Sequence, residues 1–351
     1  MSLKKILIKY TLALFTGFLM TIILTIGFIF KRSEFQVKKR NAPKFLTDTS
    51  LWKHGYLTLK NIRIHYVEKG DPKKPLMLFL HGYPEFWYSW RHQLQEFSKD
   101  YWTVAIDMRG YGDSEKPPGM DSYAMDLLID DVKHVVQALG RQKFILVGHD
   151  WGGIVSWNFV SKYHEMLLCY VILNAPHPPT FMQLVLSNKK QFFMSWYLFF
   201  YTLPYLPELT LPAFDFIAFE KVFRRNKPKE LSRVTDEDIE AFKYTFGKPN
   251  ALTPPVNYYR QFMKTWSTTE SSKDIIDITP NGLLIFGELD DYLTREILNL
   301  AQKNVKNLQV NIVKGANHFV QQDDPDTVNK HITEFLRSNL VTTNADINAS
   351  S

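Results

Sequence analysis

A chain of 351 residues, 45% apolar and 22% charged, is long enough for one large core with an insertion or for two domains, and its balance excludes wholesale disorder. The net charge of +6 comes from scattered basic residues, clustered only at 31–40 and 221–229 and not interleaved with aromatics, so nucleic acid is not an expected partner. The single cysteine, Cys169, excludes an intramolecular disulfide and a cysteine-built metal site, while a 15% aromatic content implies a large apolar cavity or surface.

Residues 11–30 carry no charge, and twenty helical residues span about 30 Å, the thickness of a bilayer's hydrocarbon core. Bulky Phe28, Ile29 and Phe30 occupy the end where a cleaved signal peptide needs small residues. The first forty residues are therefore expected to form an uncleaved single-pass anchor with its helix at about 11–30. Lys31, Arg32, Lys38, Lys39 and Arg40 outweigh Lys4, Lys5 and Lys9, which favours a cytoplasmic catalytic domain, with the endoplasmic reticulum as the expected membrane.

Residues 41–55 read as a polar tether. Ile62–Val67 alternates at period two, as a half-exposed strand does. Leu76–Leu80, Thr103–Asp107, Phe144–Val147, Tyr170–Leu173, Leu283–Phe286 and Leu308–Val313 are continuous or near-continuous apolar runs suited to buried strands. A helix is expected at about 121–139, capped by Asp121 or Ser122, striped by Leu128, Val132, Val135 and Leu139, and ended by Gly140. Strands alternating with helical runs predict a mostly parallel sheet covered on both faces, its first part at 56–175 and its second at 276–340. Between them, 176–275 is aromatic-rich, broken by prolines and free of buried-strand pattern, and is expected to be a helical lid. The tail at 341–351 is expected to be disordered.

Phe144–Gly153 holds four apolar residues, then Gly-x-Asp-x-Gly, then a helix-like run, the frame of a nucleophile elbow. Asp150 stands where that frame usually carries serine. A carboxylate there attacks carbon and is itself alkylated. His81-Gly82-Tyr83-Pro84 closes an earlier strand, so the backbone amides of Tyr83 and Trp151 are the candidate oxyanion donors. Asp290 ends a buried strand and His318 follows the last one, giving the order nucleophile, acid, histidine. Asp291 adjoins Asp290, and the strand-end position favours Asp290 as the carboxylate that orients His318.

His81–Arg91, Asp107–Ser114 and Gly148–Gly153 together resemble the epoxide hydrolase branch of the α/β-hydrolase superfamily, particularly its membrane-anchored members, over residues 50–338. The resemblance implies an epoxide as substrate and two lid tyrosines that hydrogen-bond and protonate the epoxide oxygen as the ring opens; the aromatic lid and apolar anchor suggest a lipophilic epoxide, and the expected chemistry requires no metal or organic cofactor. Tyr259, before Arg260, fits one of these. Tyr197 fits the other, with Tyr201 and Tyr205 as alternatives. Two rivals share the frame: a haloalkane or haloacid dehalogenase, whose halide leaving group needs N–H donors rather than a proton, and a silent membrane-tethered binding protein.

Overall fold

The computed structural model describes residues 3–225, 229–266 and 280–340, so the expected tail and the end of the expected lid lie outside the described residues. Helix α1 (Leu3–Phe30) precedes eight strands: β1 (Lys53–Thr58), β2 (Arg63–Lys69), β3 (Leu76–Leu80), β4 (Trp102–Ile106), β5 (Phe144–His149), β6 (Leu167–Leu173), β7 (Gly282–Gly287) and β8 (Leu308–Val313). They form one sheet in the order β1-β2-β4-β3-β5-β6-β7-β8. β1 and β2 run antiparallel at the edge, and every pairing from β4 to β8 is parallel.

The cause is visible in the strands' composition. Leu76–Leu80 is wholly buried, as are β4 and β5, because crossover helices cover both faces of a parallel sheet. Those helices are α2 (Arg91–Phe97), α3 (Met125–Ala138), α4 (Trp151–Tyr163), and, beyond the insertion, a helix at Glu296–Asn304 and another at Pro325–Leu340. β1 departs from expectation, since Lys53–Gly55 reads as part of the tether. Its side chains are exposed or half-exposed, so no apolar alternation marks it, and pairing with β2 alone makes it a strand. The helix expected at 121–139 is two elements. Met120–Tyr123 is a 3₁₀ turn, Ala124 is extended (φ −61°, ψ 143°), and α3 begins at Met125. The Asp121 side chain bonds Lys264 instead of capping a helix.

Between β6 and β7 the chain leaves the sheet as short helices: α5 (Pro178–Ser187), α6 (Lys189–Met194), α7 (Trp196–Phe200), α8 (Leu206–Thr210), α9 (Ala213–Arg224), α10 (Asp236–Phe246) and α11 (Thr253–Thr265). α9 opens with Phe214, Asp215 and Phe216 all at left-handed φ between 53° and 59°. L-residues pay about 1–2 kcal/mol each for that conformation. The turn is pinned by the stretch just before the tether, where Arg40 makes a two-pronged ion pair with Asp215 at 2.5 and 2.6 Å. α10 is fastened to the core through Asp238, which accepts from Arg91 at 3.0 Å and Tyr88 at 2.9 Å while closing a capping box with Thr235.

Candidate active site

The parallel strands deliver the candidate residues to one edge. Tyr83 follows β3, Asp150 follows β5, Asp290 follows β7 and His318 follows β8. All lie at the carboxyl ends of parallel strands, where an open α/β sheet forms its ligand crevice.

Asp150 is the hinge between β5 and α4, at φ 50° and ψ −117°. A side chain rarely adopts that conformation, and it projects the carboxylate out of the turn. Tight surroundings hold it. A Cβ on Gly152 would collide with the Leu80 carbonyl, and one on Gly82 would lie 2.6 Å from Asp150 Oδ1. The glycines that mark the elbow in the sequence are thus required by close backbone approach.

Among the described residues the Asp150 carboxylate has two hydrogen-bond partners. Tyr83 N–H donates to Oδ1 at 2.8 Å, and His318 Nε2 lies 3.3 Å from Oδ2. Among the described residues no hydrogen bond joins the Trp151 N–H, the first of α4, to this carboxylate. His318 Nδ1 is 2.8 Å from Asp290 Oδ2. Asp290 also accepts from Asn174 Nδ2 at 2.6 Å and from the Tyr292 and Leu293 amides at 2.7 and 3.0 Å. Asp291 points away and pairs with Arg225 at 2.6 Å. The structure therefore brings Asp290, and not Asp291, to His318.

Charge follows from this geometry. Burial opposes protonation of His318, but the Asp290 carboxylate and the contact with Asp150 outweigh it and push the imidazole up to about 10. For Asp290, burial raises the carboxyl, yet His318 and the donors from Asn174 and Tyr292 win and hold it below the usual range. Both shifts favour an imidazolium on His318 held by an ionised Asp290.

Opposite Asp150, Tyr197 from α7 and Tyr259 from α11 line a cavity of about 20 Å³ with Trp151, Phe181, Leu198 and His318. That is room for about one water, so any organic ligand must displace the lid's side chains. Burial and then the Asp150 charge raise both phenols well above 10, keeping them neutral donors. Tyr201 packs against Tyr259 with ring centroids 4.6 Å apart and tilted by 37°, and it donates to the Tyr83 hydroxyl at 3.3 Å. Tyr205 is 81% exposed, away from the cavity.

Several supporting residues escape a reading of the sequence. Glu85 is fully buried, and His149 Nδ1 lies 2.7 Å from its Oε2. Gly82 N–H donates to the same oxygen at 2.8 Å, and Gln321 and Gln322 both donate to Oε1 at 2.9 Å. His149 Nε2 meets the His318 carbonyl at 2.9 Å. Burial pushes the Glu85 carboxyl up, but His149 and Gly82 prevail and bring it to about 2. One hydrogen-bonded cluster thus ties the Tyr83 turn, the elbow and the His318 loop together. Asn174, with φ 41°, bridges Asp290 to the Gly287 amide. His149 beside the elbow is the one available signal.

A family model described as alpha/beta hydrolase fold matches residues 75–325. Epoxide hydrolase 1 of Caenorhabditis elegans is 42% identical over 318 residues, covering 90% of this chain and 77% of that protein. Epoxide hydrolase 4 of Mus musculus is 39% identical over 305 residues, covering 85% and 84% of the two chains. The crystal structure of the Bacillus megaterium epoxide hydrolase in complex with an inhibitor is similar at a TM-score of 0.73 and 31% identity, over 81% of this chain and 100% of that one.

Proposed function

The chain belongs to the epoxide hydrolases of the α/β-hydrolase fold, and we propose that it opens lipophilic epoxides to vicinal diols through an alkyl ester on Asp150. The observation that carries this reading is the set of contacts at one carboxylate: Tyr83 N–H on one oxygen, His318 Nε2 near the other, and two phenols across the cavity.

In the first step an Asp150 oxygen attacks an epoxide carbon and the carbon–oxygen bond of the ring breaks. The released alkoxide takes a proton from Tyr197 or Tyr259, neutral phenols suited to a strongly basic leaving group. In the second, His318, oriented by Asp290, removes a proton from water, and the hydroxide adds to the ester carbonyl. The Tyr83 amide and the Trp151 N–H are the proposed oxyanion donors, and the 2.8 Å bond from Tyr83 N–H to Asp150 Oδ1 supports the first of them. Collapse expels the diol and restores Asp150. No step calls on a metal or organic cofactor. The apolar helix α1 is proposed to anchor the enzyme in the endoplasmic reticulum membrane, with the basic residues after it holding the catalytic domain in the cytoplasm.

A single turnover in ¹⁸O-water is expected to label Asp150 and leave the first diol released unlabelled. Label in that first diol would exclude the ester. In a His318→Gln variant the ester should accumulate, read as added mass on the peptide carrying Asp150.

A further inference from the structure

Helix α1 does not leave the enzyme end-on. Along its length Leu12, Ala13, Thr16, Gly17, Met20, Leu24 and Gly27 are buried or half-buried, a spacing of three and four that defines one face. That face lies on the lid, along α7 and α8. A Cβ on Gly17 would meet Leu203, one on Gly27 would meet Phe214, and Lys9 Nζ bonds the Met263 carbonyl of α11 at 3.3 Å. The other face, including Phe15, Phe18 and Ile23, is exposed and apolar. The ion pair of Arg40 with Asp215 ties the segment after α1 to the same lid.

The lid also exposes apolar side chains on the elements that α1 covers and on α6 just before them. Phe193 on α6 is 72% exposed, Leu209 on α8 is 59% exposed, and Trp196 on α7 is 43% exposed with its ring 5.8 Å from Phe200. Lys189 and Lys190, both exposed, sit one turn from Phe193. Exposed apolar side chains rimmed by lysines suit acyl chains beneath anionic headgroups. α7 is a single short helix whose Tyr197 and Leu198 line the Asp150 cavity while α1 covers it from outside.

We propose that the lid surface bearing Phe193, Trp196 and Leu209 inserts into the same bilayer leaflet that receives α1, so that lipophilic epoxides pass from lipid over α7 to Asp150. This rests on the anchoring and the catalytic reading above. The occupant of this face is lipid rather than a second copy, because Lys189 and Lys190 flank it and because α1, lying lengthwise on the neighbouring α7 and α8, turns an apolar side of its own to the outside.

The test uses the full chain in phosphatidylcholine–phosphatidylserine vesicles. Cys169 is buried, so Phe193→Cys and Leu209→Cys each accept a fluorescent label selectively, with Gln309→Cys on β8, at the opposite end of the sheet, as reference. Acyl-chain nitroxide lipids are expected to quench labels at 193 and 209 at least about threefold more than at 309, as shallow burial in the interface requires. In a Phe193→Ser/Leu209→Ser variant, turnover of a long-chain epoxide dissolved in the vesicles should fall about tenfold, while kcat/KM for a small water-soluble epoxide stays unchanged. Labels at 193 and 209 that remain unquenched on vesicle-bound, active enzyme overturn the proposal. A blue-shifted but unquenched label, the sign of a second copy, also overturns it. Failure of the wild-type chain to sediment with vesicles would instead strike the anchoring reading, and failure to turn over either epoxide the catalytic one.

Discussion

Replacing Asp290 with asparagine tests the proposed base more sharply than deleting the histidine. Among the described residues the four partners of the Asp290 carboxylate are donors: His318 Nδ1 and Asn174 Nδ2 on one oxygen, the Tyr292 and Leu293 amides on the other. An asparagine supplies one oxygen and one NH₂, so two donors must face its NH₂ whichever way it turns. If its oxygen keeps His318, the buried Leu293 N–H and the part-buried Tyr292 N–H lose their acceptor, at about 1–3 kcal/mol for the buried one and less for the other. If it turns, the histidine loses its orientation. The bond to an imidazolium is itself worth about 1.5–3 kcal/mol. A net loss of about 4 kcal/mol at the water-activation step corresponds to roughly 10³ in rate. Rapid-quench mass spectrometry during a single turnover separates ester formation from ester hydrolysis. Asp290→Asn should slow hydrolysis by about 10³ and alkylation far less, because the attack by Asp150 needs no base. Asp291→Asn should change neither step more than about twofold, since its exposed pair with Arg225 is of the kind worth little. Hydrolysis within about tenfold of wild type in Asp290→Asn, or a larger effect from Asp291→Asn, would refute the assignment.

Three further outcomes are expected. Tyr259→Phe and Tyr197→Phe should each lower the alkylation rate by about 10–10², and the double variant by more than either, whereas Tyr201→Phe should cost less because its hydroxyl engages Tyr83; stopped-flow tryptophan fluorescence reads the step. Asp238→Ala removes the buried acceptor of Arg91 and Tyr88 and should destabilise the chain by about 3 kcal/mol, measured by denaturant unfolding. The His318 pKa is raised on folding, so its contribution to stability is whole below pH about 6.5 and is lost as pH climbs through about 10; thermal unfolding in lipid should weaken across that window, and His318→Gln should flatten the curve.

What the sequence disclosed was what local chemistry dictates. A run such as Leu76–Leu80 has no polar face to offer water, so burial on both faces was forced. Gly-x-Asp-x-Gly after such a run disclosed the elbow, because only glycine lets β3 and α4 approach so closely. What it hid was determined at long range. β1 has no pattern of its own and exists only through β2. Asp121 is a good cap in isolation, but Lys264 lies across from it. Glu85 and His149 are 64 positions apart, and Gln321 and Gln322 lie farther still, so their shared cluster has no local signature. Arg40 reads as one more basic residue near a membrane, yet its partners Asp215 and Glu240 are some two hundred residues away. The ambiguity between Asp290 and Asp291 has the same origin: identical chemistry, separated only by which one the strand end turns inward.

A histidine raised to about 10 looks at first like a poor base at neutral pH, since it is already protonated. In the proposed cycle that is an advantage. The proton is held by two carboxylates, Asp290 and Asp150, and only one of them survives the first step. Alkylation converts the Asp150 carboxylate to a neutral ester, removing both its charge and its contact with His318 Nε2. The same step leaves a phenolate on Tyr197 or Tyr259, lining the cavity that His318 lines. The proton His318 can no longer hold as firmly has a basic acceptor in the same small, dry space. Its transfer regenerates the phenol and leaves a neutral imidazole, still oriented by Asp290, facing the ester. Hydrolysis then returns a proton to His318 and a charge to Asp150, restoring the starting state with atoms and charges balanced. The base is thus made available by the formation of the intermediate it attacks, and water is not activated while Asp150 is free.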